Sequence, residues 1–196
     1  MLLAMPSPDS IIDILVSLDP MTDLPRTGWL LRGVASVESL AAHSFGVALV
    51  AMLLLDLLRE EGRQVDGERT LRLALLHDAA EAKTGDIPMP HKTPALDAAL
   101  HQVESRIVDE MFPPEHAELW RESAAGQSLE ARIVKASDKI QMMVKVWLYE
   151  ERRGAKLDEF WQNPKNFRDG DLPEARALYA AIARRAGREL PAEVRA

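Results

Sequence analysis

Apolar residues recur at helical spacing along almost all of the 196-residue chain, and alternating β-branched runs are scarce. That pattern predicts an all-α fold. Ser7-Pro8 reads as an N-cap followed by proline in the first turn, opening a short helix with Ile11, Ile12, Leu15 and Val16 on one side. A loop through "DPMTDLPRTGW" follows. From about 36 to 61 the chain is apolar around most of a helical circumference, which marks a central buried helix ending at Gly62, with His43 in line with Val47, Val50 and Leu54. A further helix is expected over about 68–83, stopping at Gly85, and Thr93-Pro94 opens a third long one running to about Met111. Pro113-Pro114 breaks the chain before a short helix through Trp120. "SLEARIVKASDKIQMMVKVWLYEERRG" is strongly amphipathic, and a looser stretch, "FWQNPKNFRDGDLPEA", leads to a last helix over about 175–187. The length predicts a single domain over 1–196, with C-terminal helices within 157–188.

At 47% hydrophobic and 28% charged residues, the chain has enough apolar mass for a packed core. A net charge of -7 argues against a broad nucleic-acid-binding face, since phosphate neutralisation needs a basic stripe; a few local Lys or Arg can still hold one small anion. The absence of cysteine excludes thiolate nucleophiles, disulfides and cysteine zinc sites, so any metal ligand must be His, Asp or Glu. "MLLAMPSPDS" lacks the basic segment and long apolar stretch of a secretion signal, and "VALVAMLLL" is too short to span a bilayer. A cytoplasmic protein without a membrane partner is expected.

Within "LALLHDAAEAKTGDIP", residues 73 to 88, ionisable groups sit where their neighbours suit burial. On a continuous helix His77 and Glu81 share a face and Asp78 lies about 100° round from His77. A lone His-Asp doublet is commonly a solvated helix end, but Leu73, Leu75, Leu76, Ala79 and Ala80 embed this one, and buried ionisable groups need partners or a metal. His43 stands mid-way along the most apolar helix; on its own, a hydrogen bond to a backbone carbonyl is the favoured explanation. Asp138, in "RIVKASDKIQMM", could simply pair with Lys135 or Lys139. Together, two histidines and two carboxylates from three helices suit a divalent first-row metal with positions left for water and substrate.

The order His43, His77-Asp78, Asp138 resembles the H…HD…D signature of HD-domain metal-dependent phosphohydrolases, a superfamily of helical bundles with a metal site between central helices. "RTGWLLRGVASVESLAAHS", "HDAAEAKTGDIP" and "VKASDKIQ" are similar to its 5'-deoxynucleotidase branch, over about 26–141. One position departs: the residue before the first histidine is usually acidic there and is Ala42 here. The resemblance implies that His43, His77, Asp78 and Asp138 hold one divalent metal (Co, Mn, Fe, Ni or Zn), and that Glu81 moves a proton or orients the attacking water. It places Asp86 near the sugar, where a plain turn role is the alternative. Trp29, with Arg26 and Arg32, would meet sugar, base or phosphate, although core packing alone would also account for Trp29. Lys135 would be a second phosphate contact or a solvated charge. His91, His101 and His116 do not reproduce a two-metal spacing and are expected at the surface. The implied activity is hydrolysis of deoxynucleoside 5'-monophosphates by metal-bound water. Triphosphohydrolase or other small-nucleotide phosphatase activity is one alternative, and an inactive, metal-stabilised nucleotide-binding module is another. The resemblance also implies a homodimer, for which the final helices offer a polar-apolar face.

Overall fold

A computed structural model of the chain describes residues 7–88 and 93–194. Among them the only strand-like pairing is one antiparallel bridge, Pro25 with Ser39, and the rest is helix and connection. Ten α-helices follow in order: α1 (Pro8–Leu18), α2 (Thr27–Leu30), α3 (Leu40–Glu60), α4 (Gly67–Leu76), α5 (Glu81–Thr84), α6 (Pro94–Met111), α7 (Pro114–Ala125), α8 (Leu129–Arg153), α9 (Asp158–Gln162) and α10 (Pro173–Ala186).

The N-caps follow the chemistry of the sequence. Oxygens of Ser7, Ser39, Asp66, Thr93 and Ser128 each accept a first-turn amide, satisfying donors that have no intrahelical partner. α3 begins at Leu40 rather than near residue 36. The preceding segment lies in the bridge, where Arg26 N–H donates to Glu38 O at 3.0 Å and Leu40 N–H to Leu24 O at 2.9 Å, and Ser39 then caps the helix. This bridge lays Arg26 beside the entry to α3.

α8 is the hub, packing on α3, α4, α7 and α10. Val47, Ala51, Leu54 and Leu58 of α3 meet Ile133, Val134, Met143 and Val146 of α8 and Leu73 and Ala74 of α4 in the principal core, which continues through Tyr179 and Ile182 of α10. Burying such side chains contributes roughly 1.5–3 kcal/mol each. The inner face of α10 is therefore already occupied. Apolar surface remains instead on α1 (Ile11, Ile12, Leu15, Val16) and on the outer side of α3 (Phe45, Leu49, Met52, Leu53).

The expected unbroken helix through residue 83 is interrupted at its functional doublet. α4 ends at Leu76, and the chain tightens over 77–80 into i+3 bonds: Ala79 N–H to Leu76 O at 3.0 Å, Glu81 N–H to Asp78 O at 2.9 Å and Lys83 N–H to Ala80 O at 3.0 Å. The His77 ring takes part, its Nδ1 lying 2.7 Å from Ala74 O, the carbonyl that Asp78 N–H would use in a continuing α-helix. Beyond the break, Asp78 and Glu81 both come within reach of Arg26 Nη1, at 3.5 and 3.7 Å.

Candidate metal centre

α3, the turn after α4, and α8 each deliver part of one cluster. His43 is 1% exposed, and its Nε2 lies 3.4 Å from Asp138 Oδ1 and 3.6 Å from Asp78 Oδ2. His77 Nε2 is 3.2 Å from Asp78 Oδ2. Donor atoms of His43, His77 and Asp138 all lie within 4.8 Å of one another.

Both imidazoles have their Nδ1 engaged away from the cluster, His43 at 2.7 Å from Gln141 Oε1 and His77 at 2.7 Å from Ala74 O. An acceptor at that distance calls for an N–H on Nδ1, which leaves the lone pair of a neutral ring on Nε2. Both Nε2 atoms are buried and have no hydrogen-bond partner. Two bare imidazole nitrogens beside two carboxylates fit a divalent first-row metal, with His43, His77, Asp78 and Asp138 as the holding groups.

These groups polarise one another. Burial works against ionisation of Asp78, but the His77 and Arg26 charges outweigh it and hold the carboxyl well below the usual carboxylate range. Burial likewise opposes the charge on Asp138, and Lys139, whose Nζ is 3.2 Å from Asp138 Oδ2, and His43 overcome it and lower the pKa. His77 moves the other way. Burial disfavours the imidazolium, yet the Asp78 carboxylate beside Nε2 prevails and raises its pKa.

Above the cluster opens a cleft of about 540 Å³, lined by Arg26, Trp29, Arg32, Asp78, Glu81, Asp86, Asp138, Lys139, Met142, Phe160, Asn163 and Lys165 among others. Arg26 sits among three carboxylates, its Nη1 3.1 Å from Asp86 Oδ1, 3.5 Å from Asp78 Oδ2 and 3.7 Å from Glu81 Oε2. Asp86 accepts the Gly28 N–H at 3.3 Å with its other oxygen. Trp29 is buried, donates its indole N–H to Glu38 at 3.2 Å, and stacks on Phe160 with ring centroids 5.1 Å apart. Arg32 donates to Glu159 at 2.5 Å and to Gly28 O at 3.3 Å while lying over the Phe160 ring.

The structure thus brings Arg26, Trp29, Arg32, Glu81 and Asp86 to the cleft over the four cluster residues. It does not bring Lys135 there: that side chain is not among the lining residues, and burial lowers its pKa against the pull of Asp138 and Asp78. Ala42 is exposed, so an acid at that position would meet solvent first. His101 is exposed and stacks on Trp120, whereas His116 is half-buried beside Phe112; His91 lies outside the described residues. Sequence reasoning offered Lys139 only as a partner for Asp138, and it missed Glu38 and Gln141 behind His43 and Phe160 and Asn163 at the cleft. Only "FWQN", an aromatic pair followed by amides in a loose stretch, could have signalled the last two.

A family model described as an HD domain matches residues 19–177. The human protein named 5'-deoxynucleotidase HDDC2 is 31% identical over 162 residues, 79% of this chain and 76% of its own. The fission-yeast protein named 5'-deoxynucleotidase hdd1 is 31% identical over 160 residues, 76% of this chain and 77% of its own. Among solved structures, a protein from Pyrococcus horikoshii shares 34% identity at a TM-score of 0.75, covering 90% of this chain and 98% of that one.

Proposed function

The chain belongs to the HD-domain family, whose members are metal-dependent phosphohydrolases, and from that premise we propose that it hydrolyses deoxynucleoside 5'-monophosphates to deoxynucleoside and phosphate. The observation that carries the proposal is the pair of bare, buried Nε2 atoms of His43 and His77 between two aspartates at the base of an aromatic-walled cleft. Similarity to proteins named 5'-deoxynucleotidase over about three quarters of the chain supports the substrate class. A single ion fits, because among the described residues one His-His-Asp group meets the geometry of a metal site. The donor set suits Co, Mn, Fe, Ni or Zn. A cytoplasmic setting is part of the proposal, supported by the cysteine-free composition.

Bound there, the metal would polarise the phosphoryl group and acidify water. Glu81, which lines the cleft with Asp78, takes the proton from water as its oxygen joins phosphorus. The phosphorus–O5' bond breaks and the nucleoside leaves with that electron pair, O5' taking up a proton from solvent in the open cleft. Arg26 keeps three carboxylates close by neutralising them, and its remaining N–H groups are available to a phosphate oxygen. Asp86 has both oxygens engaged by Arg26 and Gly28, which supports a role in holding that turn at the sugar end. Trp29, Phe160 and Met142 supply an apolar wall for sugar or base. Arg32, held by Glu159 and the Gly28 carbonyl, braces this wall.

The test is release of phosphate, pyrophosphate or triphosphate from a panel of ribo- and deoxynucleoside mono-, di- and triphosphates, with protein stripped and reloaded with each metal. Phosphate from deoxynucleoside monophosphates is expected, and His77→Ala or Asp78→Ala should abolish both stoichiometric metal and turnover. Triphosphate release would replace the reading with a triphosphohydrolase. Silence across the panel with metal bound would replace it with a binding module.

The same proposal includes a homodimer, supported by the apolar stripe Phe45, Leu49, Met52, Leu53 that the fold leaves exposed on α3. Those positions recur at helical spacing on one face.

A further inference from the structure

We infer that Glu38, acting through Gln141, sets the tautomer of His43 and so keeps its Nε2 lone pair directed into the cluster. The inference rests on the metal-centre reading above and adds two positioning residues to it.

The chain of donors and acceptors runs one way. Glu38 is 8% exposed, and its carboxylate accepts from Trp29 Nε1 at 3.2 Å, from Gln141 Nε2 at 2.8 Å and lies 3.2 Å from Lys145 Nζ. The Glu38 N–H is held in turn by Tyr149 Oη at 3.0 Å. A carboxylate has no hydrogen to give, so the atom of Gln141 facing it must be the NH2 group. The amide carbonyl then points at His43 Nδ1, 2.7 Å away, and requires an N–H there. A neutral imidazole carries one such hydrogen, so Nε2 is left bare. The opposite amide orientation would set a carbonyl against a carboxylate and a hydrogen on Nε2 between Asp78 and Asp138.

His77 needs no such device, because the backbone carbonyl of Ala74 fixes its tautomer. For His43 the acceptor is a side chain that could rotate, and the buried anion removes that freedom. Gly46, three residues beyond His43 on α3, makes room: a Cβ there would lie 2.9 Å from Gln141 Cγ and 3.1 Å from its Nε2.

The decisive measurement is long-range proton–nitrogen correlation of the histidine rings in the metal-free protein at neutral pH. His43 is expected as the Nδ1–H tautomer. Gln141→Leu removes the acceptor, so the Nε2–H form should appear and affinity for Co(II) or Zn(II), read by competition with a chelating dye, should fall by about 10- to 100-fold. Glu38→Gln should weaken binding in the same direction. The double variant Glu38→Gln/Gln141→Glu restores the sequence of roles. An amide at 38 donates to a carboxylate at 141, which accepts from His43 and keeps Lys145 one turn away, so most of the lost affinity should return. An Nε2–H tautomer in the unaltered protein, or wild-type metal affinity in Gln141→Leu, would overturn the inference. The unaltered protein's spectrum judges it even where a variant fails to fold. Failure of that protein to bind any divalent metal would instead remove the metal-centre reading.

Discussion

His77 and the aspartates around it ask for opposite solution conditions when no metal is bound. Asp78 and Asp138 have folded pKa values below the ordinary 3.8, so their contribution to stability is present above that pH and is lost as pH falls. His77 has a folded pKa above the ordinary 6.5, so its contribution is complete below 6.5 and is lost as pH rises through the raised value. Metal-free protein should therefore melt highest between pH 3.8 and 6.5. Metal requires the neutral imidazole, so the melting-temperature difference between loaded and metal-free protein should widen from about pH 5 to about pH 8. Thermal scans across that range check both statements, and His77→Ala should remove the alkaline decline of the metal-free form. A metal-free melting temperature still rising at pH 8 would contradict this account. The four candidate ligands were legible in the sequence because ionisable side chains in apolar runs demand a reason. Glu38 and Gln141 were not. They meet across 103 positions, and a glutamine on an amphipathic helix looks like any other polar residue until its neighbours are known.

Caps, breaks and apolar periodicity made the long helices legible at the scale of elements, since Ser, Thr and Asp before apolar-periodic runs have one common use. Three elements escaped, one of them α2, a single turn in the stretch expected as a loop. The tightened turn at 77–80 did so because the His77 ring takes a helical carbonyl, a competition that spacing alone does not show. α9 did so because five residues cannot hold a helix by propensity, and its supports are distant in sequence. Glu150 of α8 is the main support: its carboxylate accepts from Trp161 Nε1 at 2.9 Å, from Leu157 N–H at 3.3 Å and from Arg188 Nη2 at 2.9 Å. Glu150→Ala should free the wall carrying Phe160. We expect faster hydrogen exchange over 157–167, a stability loss of about 1–3 kcal/mol, and a higher KM for the nucleotide with metal affinity unchanged. Unaltered exchange in that segment would show that α9 is held by its packing on Trp29 instead.

For the whole molecule, α3 has a double character. It is long and apolar enough to cross a membrane by length and composition, with a mean hydropathy of 2.0. Yet His43, Val47, Ala51, Leu54 and Leu58 on its inner side build the core and the metal cluster, which a bilayer-spanning helix could not do while packed on α4 and α8. What remains is an outer stripe: Phe45 is 69% exposed and Leu53 54%, with Ile12, Leu15 and Val16 of α1 also uncovered. A two-fold axis across α3 would set this stripe against itself, since an isologous contact needs only a self-complementary patch. Asp56 and Arg59, beyond the stripe toward the end of the helix, carry opposite charges that antiparallel pairing would place at the rim. Light scattering should then report twice 21.8 kDa for the unaltered chain. Phe45→Asp/Leu49→Asp should give a monomer that keeps its metal, because both side chains point away from the cluster. A monomeric unaltered protein would remove the dimer from the proposal, and cosedimentation of that monomer with neutral lipid vesicles would assign the stripe to a membrane surface.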